Sequence, residues 1–490
     1  MCQGSMVRGL AQHLRPLLAG VNSFANGQAF AQYAVPAVAV PKAGMFGGSK
    51  RILTPLSEPL ANVNIPNPTA PKAPELQTGT LANGVKAAAL DASGPNTCVA
   101  AFVGGGSSVE TEETAGASKL LEYMAFSATH NRTSFRIARE LEKYGAVSSC
   151  VAGREHIAYV IEGTRLQASE VTEILLDSVL NQKLADWEVH DMLARVEEDL
   201  ESAYSNPALL AHELLHKAAF SGGLSNSLLP DPASVNSLSG EALRAFMAQT
   251  FVAGNIAVTG AGMSLAQLQA VADPLLAGAA AGSAPAAAKS AYTGGFLACL
   301  SPGAEPTVAV AFEAKGGLGD LKSTASAAVV KALLGSSSRE VLPYNRKALD
   351  GPLTSVTPLV QVYKSTGLIG VMGTTSSGSS AAAADALTAK LKALASSTGE
   401  AQLAAAKQVA LGGYQSAISA RSGVVQDMGL QLLARGKFSA QEYAAAVAGL
   451  SAADISKYVG EVLKSPLTMV AVGGIASLPK YDVVAGKLLA

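Results

Sequence analysis

The feature that most constrains this chain is that it repeats itself. Offsetting its 490 residues by 210 sets Gly84 on Gly294, Thr97 on Thr307, Phe102 on Phe312, Gly106 on Gly316, Gly163 on Gly373, Thr164 on Thr374 and Tyr204 on Tyr414. Glycine matches are cheap in a chain with 48 glycines, but Phe, Thr and Tyr kept in one frame are not. A duplicated chain of this length folds as two like units of about 200 residues, each able to bury its own core.

The order of elements agrees with the repeat. In the first half Cys98–Gly105 reads as a strand, Ala115–Phe126 as a helix, and His156–Thr164, rich in β-branched and aromatic residues, again as a strand. Long helices follow over Ser169–Leu180 and Asp186–Tyr204. The second half answers with Thr307–Ala314, Ser323–Leu334, Gly367–Thr375, Ala381–Leu394 and Ala401–Ala420. Each half closes on a helix feeding a last strand, NIAVTG (Asn255–Gly260) and MVAVGG (Met469–Gly474), with Ser239 and Ser451 placed as helix N-caps.

Outside the repeat the chain changes character. No acidic residue precedes Glu58, whereas Arg8, Arg15, Lys42, Lys50 and Arg51 do. Leu10, Leu14, Leu17 and Leu18 fall at helical spacing with Arg8 and Arg15 off that stripe, which predicts a mitochondrial transit peptide over 1–45. An extended, Pro-rich arm is expected over 46–74, a first domain over 75–276, an Ala-rich linker over 277–291 and a second domain over 292–490.

Composition excludes several classes of function. Hydrophobic residues make up 49% and charged residues 15%, so the chain is well buried, and a net charge of −1 gives no footprint for nucleic acid. No apolar run reaches the 18 or so residues of a membrane-spanning helix. Cys2, Cys98, Cys150 and Cys299 have no paired spacing, which argues against disulfides and a cysteine zinc site and for a reducing compartment. Gly104-Gly105-Gly106 lacks the spacing of a dinucleotide loop and no P-loop lysine follows, so no cofactor is expected.

Two stretches bear on chemistry. His212-Glu213-Leu214-Leu215-His216 spells H-E-x-x-H, two imidazoles a turn apart with a carboxylate between them, as in a zincin. Glu241 is the one glutamate near enough to be a third ligand, and the equivalent stretch of the second half, Gln426–Gln431, repeats no histidine. A zinc peptidase using His212 and His216 is therefore the enzyme-class alternative; a helix whose polar face carries two histidines is the plainer reading. The other stretch is Lys119-Leu120-Leu121-Glu122-Tyr123. With histidines at its ends it would be the inverted zinc motif H-x-x-E-H, but an ammonium and a phenol stand at the ligand positions.

The surroundings of that stretch resemble the pitrilysin and mitochondrial processing peptidase family. The matching features are Leu81-x-Asn83-Gly84, the Gly106 turn with Glu110, Leu120–Phe126, the Glu155–Tyr159 strand and the terminal NIAVTG strand. The resemblance runs from Gln77 to the C-terminus. It implies an α/β (α+β) fold of two homologous domains, each an antiparallel sheet with helices packed on one face. In active members two histidines and a distant glutamate hold zinc while the glutamate of the motif activates water. Carried over by position, the ligands here would be Lys119 and Tyr123, the third ligand Asp199 or Glu201, and the base Glu122. Lysine at neutral pH has no lone pair to give, a lone tyrosine is a poor zinc ligand, and a catalytic site needs three protein ligands. The resemblance thus implies no metal and no peptidase activity, with Lys119 and Glu122 as an ordinary helix ion pair.

Two branches of that family have lost their ligands: the presequence-holding α subunit of mitochondrial processing peptidase and core subunit 2 of ubiquinol–cytochrome c reductase. The first is marked by a glycine-rich loop where this chain has Leu333–Gly351, with serines and no glycine run. Ser205–Pro232, with its Asn-Pro opening and Leu-Ser-Asn-Ser-Leu exit, is more similar to the second. The resemblance implies a scaffold on the matrix side of the mitochondrial inner membrane, peripheral to it. Its implied partners are a homologous core subunit 1 (a β-type processing subunit) and the cytochrome b and c1 subunits, joined through a large apolar interface. Presequence peptides are the alternative ligand.

Overall fold

The computed structural model describes residues 74–282, 290–301, 305–335, 337–338, 352–376, 378–396, 399–474 and 476–489. The expected leader at 1–45 and all but the last residue of the arm lie outside the described residues, as do 283–289 of the linker and 339–351 of the serine-rich stretch.

In the first half, strands β1 (Glu75–Thr80), β2 (Lys86–Asp91), β3 (Asn96–Gly104), β4 (Val147–Ala152), β5 (His156–Thr164) and, beyond the short β6 (Phe220–Ser221), β7 (Ile256–Ala261) build a six-stranded sheet in the order β1-β2-β7-β3-β5-β4. After β8 (Ala291–Tyr292), which pairs with β6, the second half builds another six-stranded sheet. Its strands β9 (Gly295–Cys299), β10 (Thr307–Glu313), β11 (Ser337–Ser338), β12 (Leu353–Val362), β13 (Gly367–Thr375) and β14 (Thr468–Val472) run in the order β11-β12-β13-β10-β14-β9. Without β1 and β11 one succession remains, β2-β7-β3-β5-β4 against β9-β14-β10-β13-β12. The sheets are mostly antiparallel, and each has one parallel pair at the matching place in its strand order, β2 with β7 and β9 with β14.

The helices of the first half are α1 (Ala117–Tyr123), α2 (Ser134–Tyr144), α3 (Ala168–Leu180), α4 (Asp186–Tyr204), α5 (Pro207–Ala219), α6 (Pro232–Asn236), α7 (Gly240–Thr250) and α8 (Leu265–Leu276). Those of the second are α9 (Leu321–Leu334), α10 (Ser380–Ser396), α11 (Glu400–Ser419), α12 (Arg421–Arg435), α13 (Ala440–Gly449), α14 (Ala452–Val462) and α15 (Tyr481–Leu489). The long helices fall within two residues of their expected bounds. Helix α1 is shorter than the expected Ala115–Phe126, because Gly116 enters it at φ 89° and Phe126 turns away at φ 60°. Ser239 and Ser451 act as caps, accepting from Ala242 N and Asp454 N.

The repeat in the sequence is one residue out in the central strand. Tyr159 and Ile369 are 210 apart, yet their partners across the ladder, Ala101 and Phe312, are 211 apart. Side chains alternate between faces, so a slip of one exchanges them. Phe312 therefore packs under the helices of its own half, while Phe102 faces the other half. The Phe102–Phe312 match is real in sequence but not an equivalence in space.

Both faces of each sheet are apolar, and both are covered. Val99, Ala101 and Val103 of β3 pack under α3 and its neighbours. Cys98, Ala100 and Phe102 on the opposite face are covered by Val425, Met428 and Leu432 of α12, a helix of the second half. The exchange is reciprocal: Ala211, Leu215 and Ala219 of α5, from the first half, cover Ala309, Ala311, Val470 and Val472 of the second sheet. The expectation of helices on one face describes each half alone; the second face is closed by a helix from the other. Residues 74–490 form one compact unit as a result.

Candidate functional site

Glu110 fixes where α1 begins. Its carboxylate accepts from Gly116 N at 2.9 Å, from Ser118 N at 2.8 Å and from the Ser118 hydroxyl, satisfying donors that a helix start leaves open. Burial pushes the Glu110 carboxyl up, and these bonds pull it back. One turn on, Lys119 Nζ lies 3.1 Å from Glu122 Oε2 and 5.1 Å from the centre of the Tyr123 ring. The same glutamate oxygen accepts from Ala152 N at 3.2 Å, tying α1 to the end of the edge strand β4. The Tyr123 hydroxyl donates to Asp199 Oδ2 of α4 at 2.7 Å. Burial, then Asp199, holds the phenol well above its usual range. Of the two downstream carboxylates, Asp199 is thus the one brought to the site. Glu201 is exposed and, two positions on, points to the other side of the helix.

The H-E-x-x-H stretch lies elsewhere. Asn206 caps α5 by accepting from Ala208 N at 3.0 Å, with Pro207 at the first helical position. The helix then crosses onto the second sheet, and its histidines face that half. His216 is fully buried, at 0% exposure. Its Nδ1 lies 2.9 Å from the His212 carbonyl and so carries the proton, which leaves Nε2 to accept from the Tyr363 hydroxyl at 2.6 Å. His212 Nε2 lies 3.2 Å from the side-chain amide of Gln361, and the two imidazole rings are 4.7 Å apart. Glu213 Oε2 accepts from Arg154 Nη2 at 2.7 Å, Ser227 Oγ at 3.0 Å and Leu228 N at 2.8 Å. Burial, then Arg154 and His212, pushes His216 far below the usual imidazole range; Glu213 is held low by His212, Arg154 and the Leu228 amide against the opposing effect of burial. Glu241 sits exposed in the first turn of α7. The helix read from sequence as carrying two histidines on a polar face instead carries them into a seam.

Arg154, Tyr363 and Gln361 are the residues that local pattern does not point to. Arg154 is placed by a tight turn between β4 and β5. That turn lies so close to Gly106 that a Cβ there would come within 1.9 Å of the Gly153 carbonyl. The glycine of the "Gly106 turn" is the trace this leaves in the sequence.

Comparison with known proteins bears on both places. A profile of Insulinase (Peptidase family M16) matches residues 87–231, which contain α1, Asp199 and α5. The mitochondrial-processing peptidase subunit alpha of Solanum tuberosum is 31% identical over 467 residues, covering 91% of this chain and 93% of the relative. The chain belongs to peptidase family M16. It is also homologous to cytochrome b-c1 complex subunit 2, with 26% identity to the Rattus norvegicus protein over 83% of this chain and 92% of the relative. The fold matches a chain from complex III2 of Candida albicans, bound to Inz-5, with a TM-score of 0.72 and 16% identity, covering 84% of this chain and 99% of the other. The two halves described above are the two homologous domains of an M16 protein. Among the described residues of this M16 chain no helix is long and apolar enough to cross a membrane.

Proposed function

We propose that this M16 chain is a non-catalytic core subunit of the mitochondrial cytochrome bc1 complex, a scaffold on its matrix side. The observation that carries the non-catalytic part is the set of contacts on α1. The side chains at the inverted motif satisfy one another, ammonium on carboxylate and phenol on carboxylate. They do not fit a zinc ion: Lys119 offers no lone pair while protonated, Tyr123 keeps its proton, and Glu122 and Asp199 alone fall short of three protein ligands. Nothing then lowers the pKa of a water molecule toward neutrality. His212 and His216 offer no substitute, since each ring nitrogen already has a partner or its own helix to face. The domain limits read from the sequence, 75–276 and 292–490 with a linker between, belong to the same reading.

The choice of seat rests on likeness to cytochrome b-c1 complex subunit 2 in sequence and to a complex III chain in fold. On this reading its partners are a homologous core subunit 1 and the cytochrome b and c1 subunits. A second reading, the presequence-binding α subunit, is favoured by the 31% identity to the processing peptidase relative, against 26% for the rat core protein.

The test is the native assembly, isolated through this chain and resolved into its subunits. Cytochromes b and c1 beside a second M16 chain are expected; a lone M16 partner and saturable binding of a basic amphipathic peptide would replace the first reading by the second. The purified chain is expected to carry far less than one zinc per molecule. Stoichiometric zinc with chelator-sensitive cleavage of a presequence by the isolated chain would overturn both.

A further inference from the structure

The buried cluster on α5 is richer in ionisable groups than a structural contact needs, and it sits where the halves meet. Three groups come from α5 itself, His212, Glu213 and His216. Facing them are Arg154 and Glu155 from the β4–β5 turn, Tyr363 and Lys364 from the end of β12 and its turn, and Tyr204 from the end of α4. Closed, the pocket is balanced, with one guanidinium on one carboxylate and His216 neutral. Glu155, the other carboxylate at hand, is already held by Lys364 N at 2.7 Å.

Adding a proton disturbs that balance in two ways. A proton on His216 Nε2 turns an acceptor into a donor, against a Tyr363 hydroxyl that is itself donating at 2.6 Å. It also puts a second cation beside Arg154 in a buried space where no uncommitted carboxylate answers it. Outside α5, His156 of β5 is also kept from water, its ring 6.5 Å from that of Phe102 on the face that α12 covers, and burial lowers its pKa too; a proton there bears on the seating of α12 and not on that of α5.

We propose that His216, seated beside His212 on α5, is a proton-sensitive latch between the two halves. Neutral, it seats α5 on the second sheet; protonated, it releases α5 and the 223–228 loop while both sheets stay folded. The sign follows from linkage. An imidazole kept neutral when closed takes up a proton more readily when open, so the closed form is favoured fully above the open-state value of about 6.5 and loses ground as pH falls below it. Glu213, held low, adds a loss of the same sign only below about 4.5, so the two windows do not overlap near pH 6.

Hydrogen–deuterium exchange on the full chain between pH 7.5 and 5.5, corrected for intrinsic rates, tests this. Opening of 207–219 is expected to rise about tenfold per pH unit below about pH 6.5 for each proton taken up, with β3 and β5 unchanged. His216→Gln, which keeps hydrogen-bonding groups but does not titrate, is expected to flatten that rise. No rise in the wild type, an equal rise in the variant, or β3 and β5 opening alongside α5 would overturn the latch. Should His216→Gln fail to fold, Tyr363→Phe decides: removing the hydroxyl that donates to Nε2 moves the opening midpoint to higher pH, and an unmoved midpoint overturns the proposal.

Discussion

Lys119–Glu122 and Arg154–Glu213 are the same kind of contact at different depths. The first pair is 22% exposed on each side, the second 2% and 10%. A helix pair three residues apart contributes about 0.2–0.5 kcal/mol, so Lys119→Ala is expected to leave the urea midpoint within error of wild type. Arg154→Ala leaves Glu213 buried without its cation and is expected to lower stability by about 3–5 kcal/mol. The double change Arg154→Met with Glu213→Leu is expected to lose less than Arg154→Ala alone, because it removes both charges from the interior. A double variant worse than the single would show that the remaining bonds of Glu213, to Ser227 and Leu228, matter more than its charge. How far such contacts can be read from sequence depends on their range. Lys119–Glu122 is visible in the helical spacing, and Asp199 is half visible, one of two candidates on its helix. Arg154 and Glu213 are 59 residues apart and meet only through the fold. The H-E-x-x-H spelling gives the spacing of its histidines correctly but not what they face, which is decided by a sheet from the other half.

At the scale of single elements, glycines report how tightly helices sit. Gly429 of α12 lies against Phe102 of β3, where an added Cβ would come within 2.2 Å of the ring. The ring is walled in by the sheet, so Gly429→Ala is expected to lower stability by about 1–3 kcal/mol through overpacking, although alanine favours the helix itself by about 1 kcal/mol. Phe102→Leu in the same chain is expected to recover part of the loss, a coupling that a double-mutant cycle measures. Gly412 and Gly413 of α11 have nothing within 4 Å of such a Cβ. Changing either to alanine is expected to raise stability by about 0.4–1 kcal/mol, read as a higher thermal midpoint of the isolated chain; a fall would mean that the open space beside α11 is filled in solution. Elements like α4, with a strong pattern of their own, are legible from sequence to the residue. Helix α12 as a cover for the first sheet is not, because its apolar stripe of Val425, Met428 and Leu432 says only that something is covered. The central strands show the same limit: repeat and order were visible, but the one-residue slip that sends Phe102 and Phe312 to opposite faces was not.

Taken whole, residues 74–490 are two sheets that cannot both be closed without exchanging a helix. Repeat counting alone predicts two self-sufficient domains, and each half does own a core on its helix side. The second core of each half is shared: Cys98, Ala100, Phe102 and Val160 wait for α12, and Ala309, Ala311, Val470 and Val472 wait for α5. The consequence is testable by dividing the chain. Residues 74–282 expressed alone lack α12 and expose that apolar face, so they are expected to aggregate or bind a hydrophobic dye strongly. Residues 290–490, added during refolding, are expected to restore a single soluble particle, since the contacts between halves do not depend on the peptide link. For the same reason a full chain cut between Gly282 and Ser290 is expected to elute as one species by size exclusion. A first half that folds alone, dye-silent and monodisperse, would mean that the shared cores are dispensable. If they are not, the unit offered to any partner subunit is the interlocked pair, and the polar cluster on α5 is the place where a fully buried imidazole joins the two halves by a hydrogen bond, so that pH can act on the seam.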